Sequence, residues 1–368
     1  MIGLKPFRRE IDWGYFQLTT QPDVNQIRSL LAAYGLGDIL DITHHSGTAA
    51  PTWRVTTSRG TWLLRTRGAR TSTDEAIAFD HGLRRHLVAN GIPTAAPVPT
   101  KEEKTFTRHE DKAYEVYAFL EGKPYGAAPP EAVIHASSTL ARFHLVASTY
   151  AAARRSASLA QYGTLGFPET SERMEDPLLL EKVYEWVETL RVFRDYEAEA
   201  ETCRKWIRRL LDAFGREVYD GLPHALTHGD YTPANLIFDD SGQVAGIFDF
   251  DWARWAARVR DVADGMYFFS ADRRSPLQPS DIWSLTDTAD FQVERCVYWL
   301  RAYAEISPLT AEEIQSIPLA FAARWLSIRV EGMAKVPAKD RVRFCYRDVR
   351  DPLEWLDRHW PEVTKRLL

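Results

Sequence analysis

Two short motifs carry side chains whose types and spacing could do chemistry. The first, at residues 226–238 (LTHGDYTPANLIF), places Asp230 five residues before Asn235. The second, at residues 245–251 (AGIFDFD), places Asp249 at the end of a strand-like run. A carboxylate can accept the proton of an attacking hydroxyl, and amide and carboxylate oxygens are hard ligands that suit Mg²⁺. Together these side chains would suit transfer of a phosphoryl group, a reaction that asks a protein chiefly for positioning and charge neutralisation.

A predicted hairpin connects the two motifs. Residues 236–238 and 244–250 have strand-like sequences, and the turn-forming run Asp-Asp-Ser-Gly at residues 239–242 joins them. The chain would therefore fold back between Asn235 and Asp249, so that both side chains can face one ion. Each residue alone could be a cap, a turn residue or a strand end, but their joint occurrence in one stretch favours a catalytic site.

The elements that precede these motifs predict an antiparallel sheet with a packed helix. Apolar residues recur at helical spacing in residues 21–36 and 74–90. Strand-like runs, two pairs of which are joined by turn signals, occupy residues 39–43, 53–57, 61–66, 104–108 and 114–120.

From about residue 130 the chain is mainly helical. Helical periodicity occupies residues 131–148, 177–219 (as two helices), 286–304, 311–333 and 353–367. The pattern predicts an α+β fold class with two lobes and a cleft between them, which is a usual place for a ligand. We divide the chain into an N-terminal lobe at residues 1–116, a connector at 117–124 and a C-terminal lobe at 125–368.

The composition argues against several classes of function and indicates where in the cell the protein is expected. The 368-residue chain is 45% hydrophobic and 26% charged, and its formal net charge of -5 argues against non-specific nucleic-acid binding, which needs a basic surface. Three widely spaced cysteines indicate neither a disulfide framework nor a zinc site. No apolar run reaches the length of a signal peptide or a membrane span, so we expect a cytoplasmic protein without a membrane partner. The oligomeric state stays open.

The run HGDYTPANL followed by IFDFD resembles the aminoglycoside phosphotransferase and choline kinase superfamily, which includes homoserine-kinase-like small-molecule kinases. The resemblance covers roughly residues 25–335. It implies a bilobal protein-kinase-like fold, with a nucleotide-binding N-terminal lobe and a C-terminal lobe for catalysis and acceptor binding. It also implies ATP (or GTP) and Mg²⁺ as cofactors and a small-molecule acceptor. In protein kinases the catalytic Asp likewise precedes a metal-binding Asn by five residues.

Carried over onto this sequence, the resemblance implies roles for the motif residues. Asp230 becomes the catalytic base, and Asn235 and Asp249 become the magnesium ligands. His228 would support the catalytic loop without reacting. Asp261 would brace the same loop through hydrogen bonds.

The resemblance also implies a nucleotide site in the N-terminal lobe and the connector. The residues implied are Ser46, Gly47 and Thr48 for a phosphate-covering loop, and Tyr117, Phe119 and Leu120 for backbone contacts to the adenine.

One position departs from the family pattern. Arg65 stands where the family usually has a phosphate-binding lysine, and its planar guanidinium can still hold phosphate oxygens. Since side chains alternate along a strand, Arg65 would point away from Leu64 and into the cleft. Its acidic partner would be Asp80, or Glu75 if the helix register is shifted. A solvated surface position is the alternative for both Arg65 and Asp80.

The acceptor pocket is expected in the C-terminal lobe, and three classes of acceptor stay open. Acidic groups would favour an amine, aromatic faces would favour a quaternary ammonium, and Arg329 would favour a carboxylate such as that of an amino-acid alcohol. Each aromatic residue could instead belong to the core, and Asp251 could support the metal site. The candidate acceptor-side residues are Asp251, Trp252, Trp255, Asp264, Tyr267, Trp325, Arg329 and Glu331.

These observations predict an ATP- and Mg²⁺-dependent phosphotransferase that moves the γ-phosphoryl group onto a hydroxyl of a small metabolite. The metabolite would be an amino alcohol, a choline-like or a homoserine-like compound. An aminoglycoside kinase is the second enzymatic alternative. A non-catalytic nucleotide-binding protein on a kinase-like fold is the alternative from another class, because Arg65 replaces the lysine and the phosphate loop has a single glycine.

Overall fold

The computed structural model describes residues 24–45, 51–68, 71–150, 187–188, 190, 194–273, 281–287, 289–333 and 335–367. The predicted phosphate-covering loop at Ser46, Gly47 and Thr48 lies outside these residues, and so does the side chain of Glu331.

The N-terminal lobe is built on an antiparallel sheet. Among the described residues its strands are β1 (Ile39–His44), β2 (Thr52–Thr57), β3 (Gly60–Thr66), β4 (Thr107–His109) and β5 (Lys112–Ala118). They lie in the spatial order β1–β2–β3–β5–β4, which makes β3 the central strand. The helices described in this lobe are α1 (Val24–Ala32) and α2 (Asp74–Ala89).

Alternation along β3 separates an apolar face from a charged face. Leu64 is fully buried in a core that includes Ile27 and Leu30 of α1 and Val55 of β2. Arg65, the next residue of the strand, points to the opposite face. The central strand therefore presents a guanidinium on the side that α1 does not cover.

The C-terminal lobe is mainly helical. Its described α-helices are α3 (Ala132–Thr149), α4 (Glu197–Ala213), α5 (Arg216–Gly221), α6 (Val259–Phe269), α7 (Val293–Ala304), α8 (Ala311–Met333), α9 (Arg341–Tyr346) and α10 (Arg350–Leu367). Short 3₁₀ helices lie at Tyr125–Ala127, Arg194–Tyr196, Pro233–Asn235, Ile282–Thr286 and Ala338–Asp340. One large apolar core joins these elements, with contributions from Leu140, Met266, Trp299 and Phe321.

Short two-stranded ladders interrupt the helices. The described ladders pair β6 (His224–Thr227) with β9 (Arg254–Ala257), β7 (Leu236–Phe238) with β8 (Val244–Ile247), and β10 (Ala271–Arg273) with β11 (Ala289–Phe291). The β7–β8 hairpin is the one that the sequence predicts. The other two ladders were not predicted, because strands of three or four residues are too short to show an alternation.

The predicted α+β class with two lobes is confirmed. The helix predicted at residues 286–304 begins later, at Val293, because residues 289–291 pair with β10 instead. The helix predicted at residues 353–367 begins earlier, at Arg350, and the one predicted at residues 21–36 ends at Ala32. Of the two helices predicted within 177–219, the described residues contain α4 and α5. Within the described residues, no helix has the length and hydropathy that a membrane span requires.

Leu64 gives a test of the packing in the N-terminal lobe. Leu64→Ala should lower the free energy of unfolding by about 2–5 kcal/mol, because it leaves a cavity in a buried core. Leu40→Ala, on strand β1 of the same sheet, is the control. Leu40 is 67% exposed, and its truncation should cost less than about 0.5 kcal/mol. Urea unfolding followed by circular dichroism measures both variants, and equal losses would contradict the assigned faces.

Candidate active site

The loop that carries Asp230, the predicted catalytic loop, follows strand β6, and a glycine allows the chain to turn there. Gly229 has a φ of +80°, which glycine adopts without the steric penalty that other residues meet. A Cβ atom at this position would lie 2.3 Å from the backbone oxygen of Trp252. The loop is therefore packed against the segment that follows β8, which brings Asp230 beside the second motif.

A buried carboxylate holds the catalytic loop in place. Asp261, in the first turn of α6, accepts hydrogen bonds from the backbone N–H groups of His228 at 2.6 Å and Gly229 at 3.0 Å. His144 Nε2 donates to the same carboxylate at 3.1 Å. Burial alone would raise the pKa of Asp261, but the hydrogen bond from His144 and the charge of Arg260 lower it to about 2. The carboxylate thus stays ionised and braces the loop.

His228 ties the loop to the second motif. Its Nε2 donates to the carbonyl of Phe248 at 2.9 Å, and its Nδ1 accepts the N–H of Asp230 at 3.2 Å. Burial lowers the pKa of His228 despite the nearby carboxylates, which favours the neutral ring with one donor and one acceptor nitrogen. Both ring nitrogens are engaged within the protein, so the geometry suits support of the loop.

Asp230 and Asn235 contact each other across the loop. Asn235 Nδ2 donates to Asp230 Oδ2 and to the Asp230 carbonyl, both at 2.9 Å. These bonds orient the amide so that its oxygen points away from Asp230. The Asp230 side chain is 29% exposed. The loop therefore carries an oriented carboxylate that a ligand can reach.

Asp249 ends the hairpin in a strained conformation. Its φ is 59°, a region that costs a non-glycine residue about 1–3 kcal/mol. The Phe248 N–H donates to the Asn235 carbonyl at 2.9 Å, which places Asn235 and Asp249 at the same end of the hairpin. Burial raises the pKa of Asp249 to about 6, and the carboxylates of Asp251 and Asp230 act in the same direction.

This end of the hairpin suits a divalent cation. The oxygens of Asn235 and Asp249 are hard ligands, and three carboxylates gather close to one another. Carboxylates that crowd together disfavour each other's ionisation, and a bound divalent cation reverses that effect. The donor set therefore fits Mg²⁺ better than a softer metal.

Arg65 reaches this cluster from the sheet. Its Nη2 lies 2.8 Å from Asp251 and 3.2 Å from Asp249, and its Nη1 lies 3.3 Å from Asp251. The Arg65 side chain is 15% exposed. A solvated surface position is therefore wrong for Arg65, and the predicted orientation toward the cleft agrees with these contacts.

The acidic partner predicted for Arg65 is wrong. Within the described chain, neither Asp80 nor Glu75 pairs with it. Asp80 instead accepts hydrogen bonds from Arg67 Nη1 and Arg84 Nε, both at 2.7 Å, and is 3% exposed. The reason is geometric, because Arg67 stands two residues after Arg65 on the same side of the chain, where it meets helix α2.

A second buried acid completes this charged network. Glu115 lies opposite Arg65 in the register of β3 and β5 and is fully buried. It accepts hydrogen bonds from Arg67 Nη1 and from the hydroxyl of Tyr117, both at 2.6 Å. The sequence analysis missed Arg67 and Glu115. Arg67 could have been predicted from its position two residues after Arg65, because alternate residues of an extended chain lie on the same side.

The segment predicted to contact the adenine starts within the sheet of the N-terminal lobe. Tyr117 belongs to β5, where it pairs with β3, and its hydroxyl is bound by Glu115. The Phe119 N–H donates to the Thr61 carbonyl at 3.0 Å. Pairing with β3 thus continues past the predicted start of the connector. The contacts of Tyr117, Phe119 and Leu120 with a nucleotide base stay a prediction.

A residue that the sequence analysis missed, Arg324, faces the catalytic loop from helix α8. Its Nη2 lies 3.5 Å from Asp230 Oδ1, and its Nε lies 3.6 Å from Asp264 Oδ2. Asp264 lies on α6, so the packing of two helices brings this acceptor-side candidate beside Arg324. No local signal in the sequence indicates Arg324, because the contact depends on how α6 and α8 pack.

Two other acceptor-side candidates lie in the core. Trp325 is 1% exposed, and its Nε1 donates to the carbonyl of Val349 at 2.9 Å. The Arg329 guanidinium lies 3.5 Å from the centroid of the Trp325 ring and donates to the carbonyls of Trp325 and Arg347. Burial lowers the pKa of Arg329 to about 10. These are contacts of core residues, and they give no support to an acceptor role for Trp325 or Arg329.

The remaining candidates differ in exposure. Tyr267 is buried, with its ring centroid 5.4 Å from that of Trp325. Trp252 is half-buried, and Trp255 on β9 is 36% exposed. Asp251 is bound by Arg65 and therefore supports the carboxylate cluster.

Comparison with known sequences identifies relatives along most of the chain. Residues 42–309 match the phosphotransferase enzyme family. The homoserine kinase of Parvibaculum lavamentivorans is 24% identical over 347 residues, covering 92% of this chain and 94% of its own. The homoserine kinase of Rhodospirillum rubrum is 25% identical over 304 residues, covering 82% of this chain and 81% of its own.

Solved structures share the fold. An aminoglycoside phosphotransferase from Alicyclobacillus acidocaldarius superposes with a TM-score of 0.65 at 16% identity, covering 96% of this chain and 98% of its own. A microcompartment-associated aminopropanol kinase superposes with a TM-score of 0.61 at 14% identity, covering 94% and 100%. The predicted kinase-like fold is confirmed.

The match to the family spans more than half of the chain and includes both motifs that carry the predicted site residues and the strand that carries Arg65. The chain therefore belongs to the phosphotransferase enzyme family and is a small-molecule kinase.

Proposed function

We propose that this protein transfers the γ-phosphoryl group of ATP to a hydroxyl group of a small metabolite in an Mg²⁺-dependent reaction. The observation that carries the proposal is the convergence of Asp230, Asn235 and Asp249 at one end of the β7–β8 hairpin. A homoserine-like amino-acid alcohol is the favoured acceptor, because two homoserine kinases align along 92% and 82% of the chain. Other amino alcohols and choline-like compounds are the acceptors to compare with it.

Asp230 would act as the general base. It would accept the proton of the acceptor hydroxyl as that oxygen attacks the γ-phosphorus atom. The 2.9 Å hydrogen bond from Asn235 holds Oδ2, which leaves Oδ1 to face the incoming hydroxyl. The bond from the Asp230 N–H to His228 limits movement of the loop, so the carboxylate is positioned before the substrate arrives.

Asn235 and Asp249 would hold Mg²⁺, which when bound neutralises negative charge on the phosphates. Arg65 would act from the sheet side. Its 2.8 Å contact with Asp251 orients the guanidinium, so that N–H groups directed into the cleft can donate to phosphate oxygens. An arginine can therefore serve where relatives of the family usually have a lysine.

The alternatives have less support. A non-catalytic nucleotide-binding protein would not need Asp230 to be both oriented by hydrogen bonds and open to the cleft. An aminoglycoside acceptor is indicated by likeness of fold alone, since the aminoglycoside phosphotransferase compared above is 16% identical, and fold does not determine the substrate.

Release of ADP by the wild-type protein tests the proposal. With Mg-ATP and a panel of amino alcohols, sugars, choline and aminoglycosides, we expect acceptor-dependent ADP release that is fastest with L-homoserine. Omission of Mg²⁺ should abolish it. If no member of the panel stimulates ADP release, the proposed function is contradicted.

Asp230→Asn tests the assignment of the base. The substitution keeps the shape of the side chain but removes the proton acceptor, so kcat should fall by about 10²–10⁴-fold. Binding of Mg-ATP, measured by calorimetry, should be retained. Asp240→Asn is the matched control, because Asp240 lies in the turn of the same hairpin with its side chain 89% exposed. Turnover of Asp230→Asn close to that of the control would refute the role of Asp230.

Substitutions of Arg65 should reduce activity, whereas substitution of Arg67 should reduce stability. Arg65→Ala should raise the KM for ATP and reduce kcat/KM by about 10–100-fold, because it removes charged hydrogen bonds to phosphate, and Arg65→Lys should be partly active. Arg67→Ala should lower the free energy of unfolding by about 3–5 kcal/mol, because it leaves Asp80 and Glu115 buried without compensation. Steady-state kinetics and urea unfolding of all three variants decide the matter. Unchanged ATP kinetics in Arg65→Ala would show that another group holds the phosphates.

A further inference from the structure

Helix α8 places a cation, Arg324, beside the proposed base Asp230. Helix α6 places an anion, Asp264, beside Arg324. Arg324 lies 3.5 Å from Asp230 and 3.6 Å from Asp264. The side chains of Arg324 and Asp264 are 10% and 1% exposed. Both charges are therefore held in place by packing, and Arg324 contacts Asp230 Oδ1, which is the oxygen that Asn235 does not bind.

The helices that carry this pair also carry two buried aromatic residues that contact each other. Tyr267 follows Asp264 by one turn of α6, Trp325 follows Arg324 on α8, and the two ring centroids are 5.4 Å apart. Apolar surroundings reduce dielectric screening, so charges placed there attract complementary charges more strongly than they would in water. A small ligand that matches both charges gains more at this position than on an open surface.

The other charged candidates near the acceptor side have different partners. Asp251 is bound by Arg65 and Arg67. Arg329 donates to two backbone carbonyls and stacks on Trp325. Arg324 contacts Asp230, whereas the sequence had suggested Arg329 as the group that would favour an acceptor carboxylate.

We propose that Arg324 and Asp264 form a subsite for the carboxylate and the ammonium group of a hydroxy amino acid whose hydroxyl faces Asp230. The inference rests on the proposed function and names the class of its acceptor. A guanidinium can bind a carboxylate through two parallel N–H groups, and a buried carboxylate is a matching partner for an ammonium. The amino acid would insert its two charged groups between Arg324 and Asp264 and exchange their ion pair for two new ones.

The spacing of the three protein groups suits such a molecule. Asp230, Arg324 and Asp264 follow one another at 3.5 and 3.6 Å. A hydroxyl separated from a carboxylate carbon by four covalent bonds of about 1.5 Å spans about 5 Å when extended. An acceptor of this length can contact Asp230 with its hydroxyl and Arg324 with its carboxylate at the same time.

Three probes separate recognition of the carboxylate from recognition of the ammonium. L-homoserine carries both groups, 3-aminopropan-1-ol lacks the carboxylate, and 4-hydroxybutyrate lacks the ammonium. Their kcat/KM values are measured with saturating Mg-ATP for the wild type, Arg324→Gln, Arg324→Lys and Asp264→Asn. Lys335→Gln is the control, because it removes an exposed cation just beyond the same helix. Thermal melting of each variant establishes that it is folded.

The expected result is a change in preference between probes. Arg324→Gln should reduce the ratio of kcat/KM for L-homoserine over 3-aminopropan-1-ol by about 10–100-fold, through a higher KM, because a charged hydrogen-bonded contact is lost. Arg324→Lys should lie between the wild type and Arg324→Gln. Asp264→Asn should reduce the ratio for L-homoserine over 4-hydroxybutyrate. Lys335→Gln should leave both ratios unchanged.

A uniform loss over the three probes would overturn the subsite, because it would mean that Arg324 acts only on the position of Asp230. If the wild type phosphorylates another acceptor but none of the probes, the subsite is refuted while the proposed function stands. If no acceptor is phosphorylated, the proposed function fails, and calorimetry of L-homoserine binding decides the subsite separately. Binding to the wild type that weakens at least tenfold in Arg324→Gln supports the subsite, and absence of binding refutes it.

Discussion

The carboxylate of Asp251 connects the sheet of the N-terminal lobe to the proposed catalytic end of the helical lobe. Arg65 and Arg67 extend from the same side of the central strand and contact it at 2.8 and 3.3 Å. Burial alone would raise the pKa of Asp251, and the two arginines hold it below its usual value. Without these cations three crowded carboxylates would repel one another, so this contact stabilises the ionised carboxylates beside Asn235.

Two guanidiniums near the proposed site have different proposed tasks. Arg65 comes from the sheet and lies beside Asp249, where negative phosphate charge would be neutralised. Arg324 comes from helix α8 and lies beside Asp264, where an acceptor carboxylate would be aligned. Under the proposal each guanidinium would meet one anionic group of a ligand, although the chain as a whole carries a formal net charge of -5. Asp230 would then accept the proton of a hydroxyl that lies directly beside the γ-phosphate.

The parts of this site that the sequence predicts are those that local geometry determines. Asn235 and Asp249 come together because one hairpin folds the chain back, and the alternation of β3 predicts the face of Arg65. Its partner could not be predicted, because the contact with Asp251 joins residues 186 positions apart and depends on how the lobes pack. Arg324 was missed for the same reason, since helical periodicity predicts a buried face but not the neighbour that it meets. Asp80 was predicted to pair with Arg65, which stands where the family usually has a lysine. In the structure Asp80 pairs with Arg67.

The central claim is that Asp230, Asn235 and Asp249 form one site for phosphoryl transfer. A crystal structure of the wild-type protein grown with Mn²⁺ and a non-hydrolysable ATP analogue tests it most directly, because anomalous scattering locates the ion independently of the protein coordinates. The account predicts Mn²⁺ bonded to the amide oxygen of Asn235 and to the carboxylate of Asp249, with the γ-phosphate between Asp230 and Arg65. An ion bound away from both ligands, or a γ-phosphate directed away from Asp230, would contradict it.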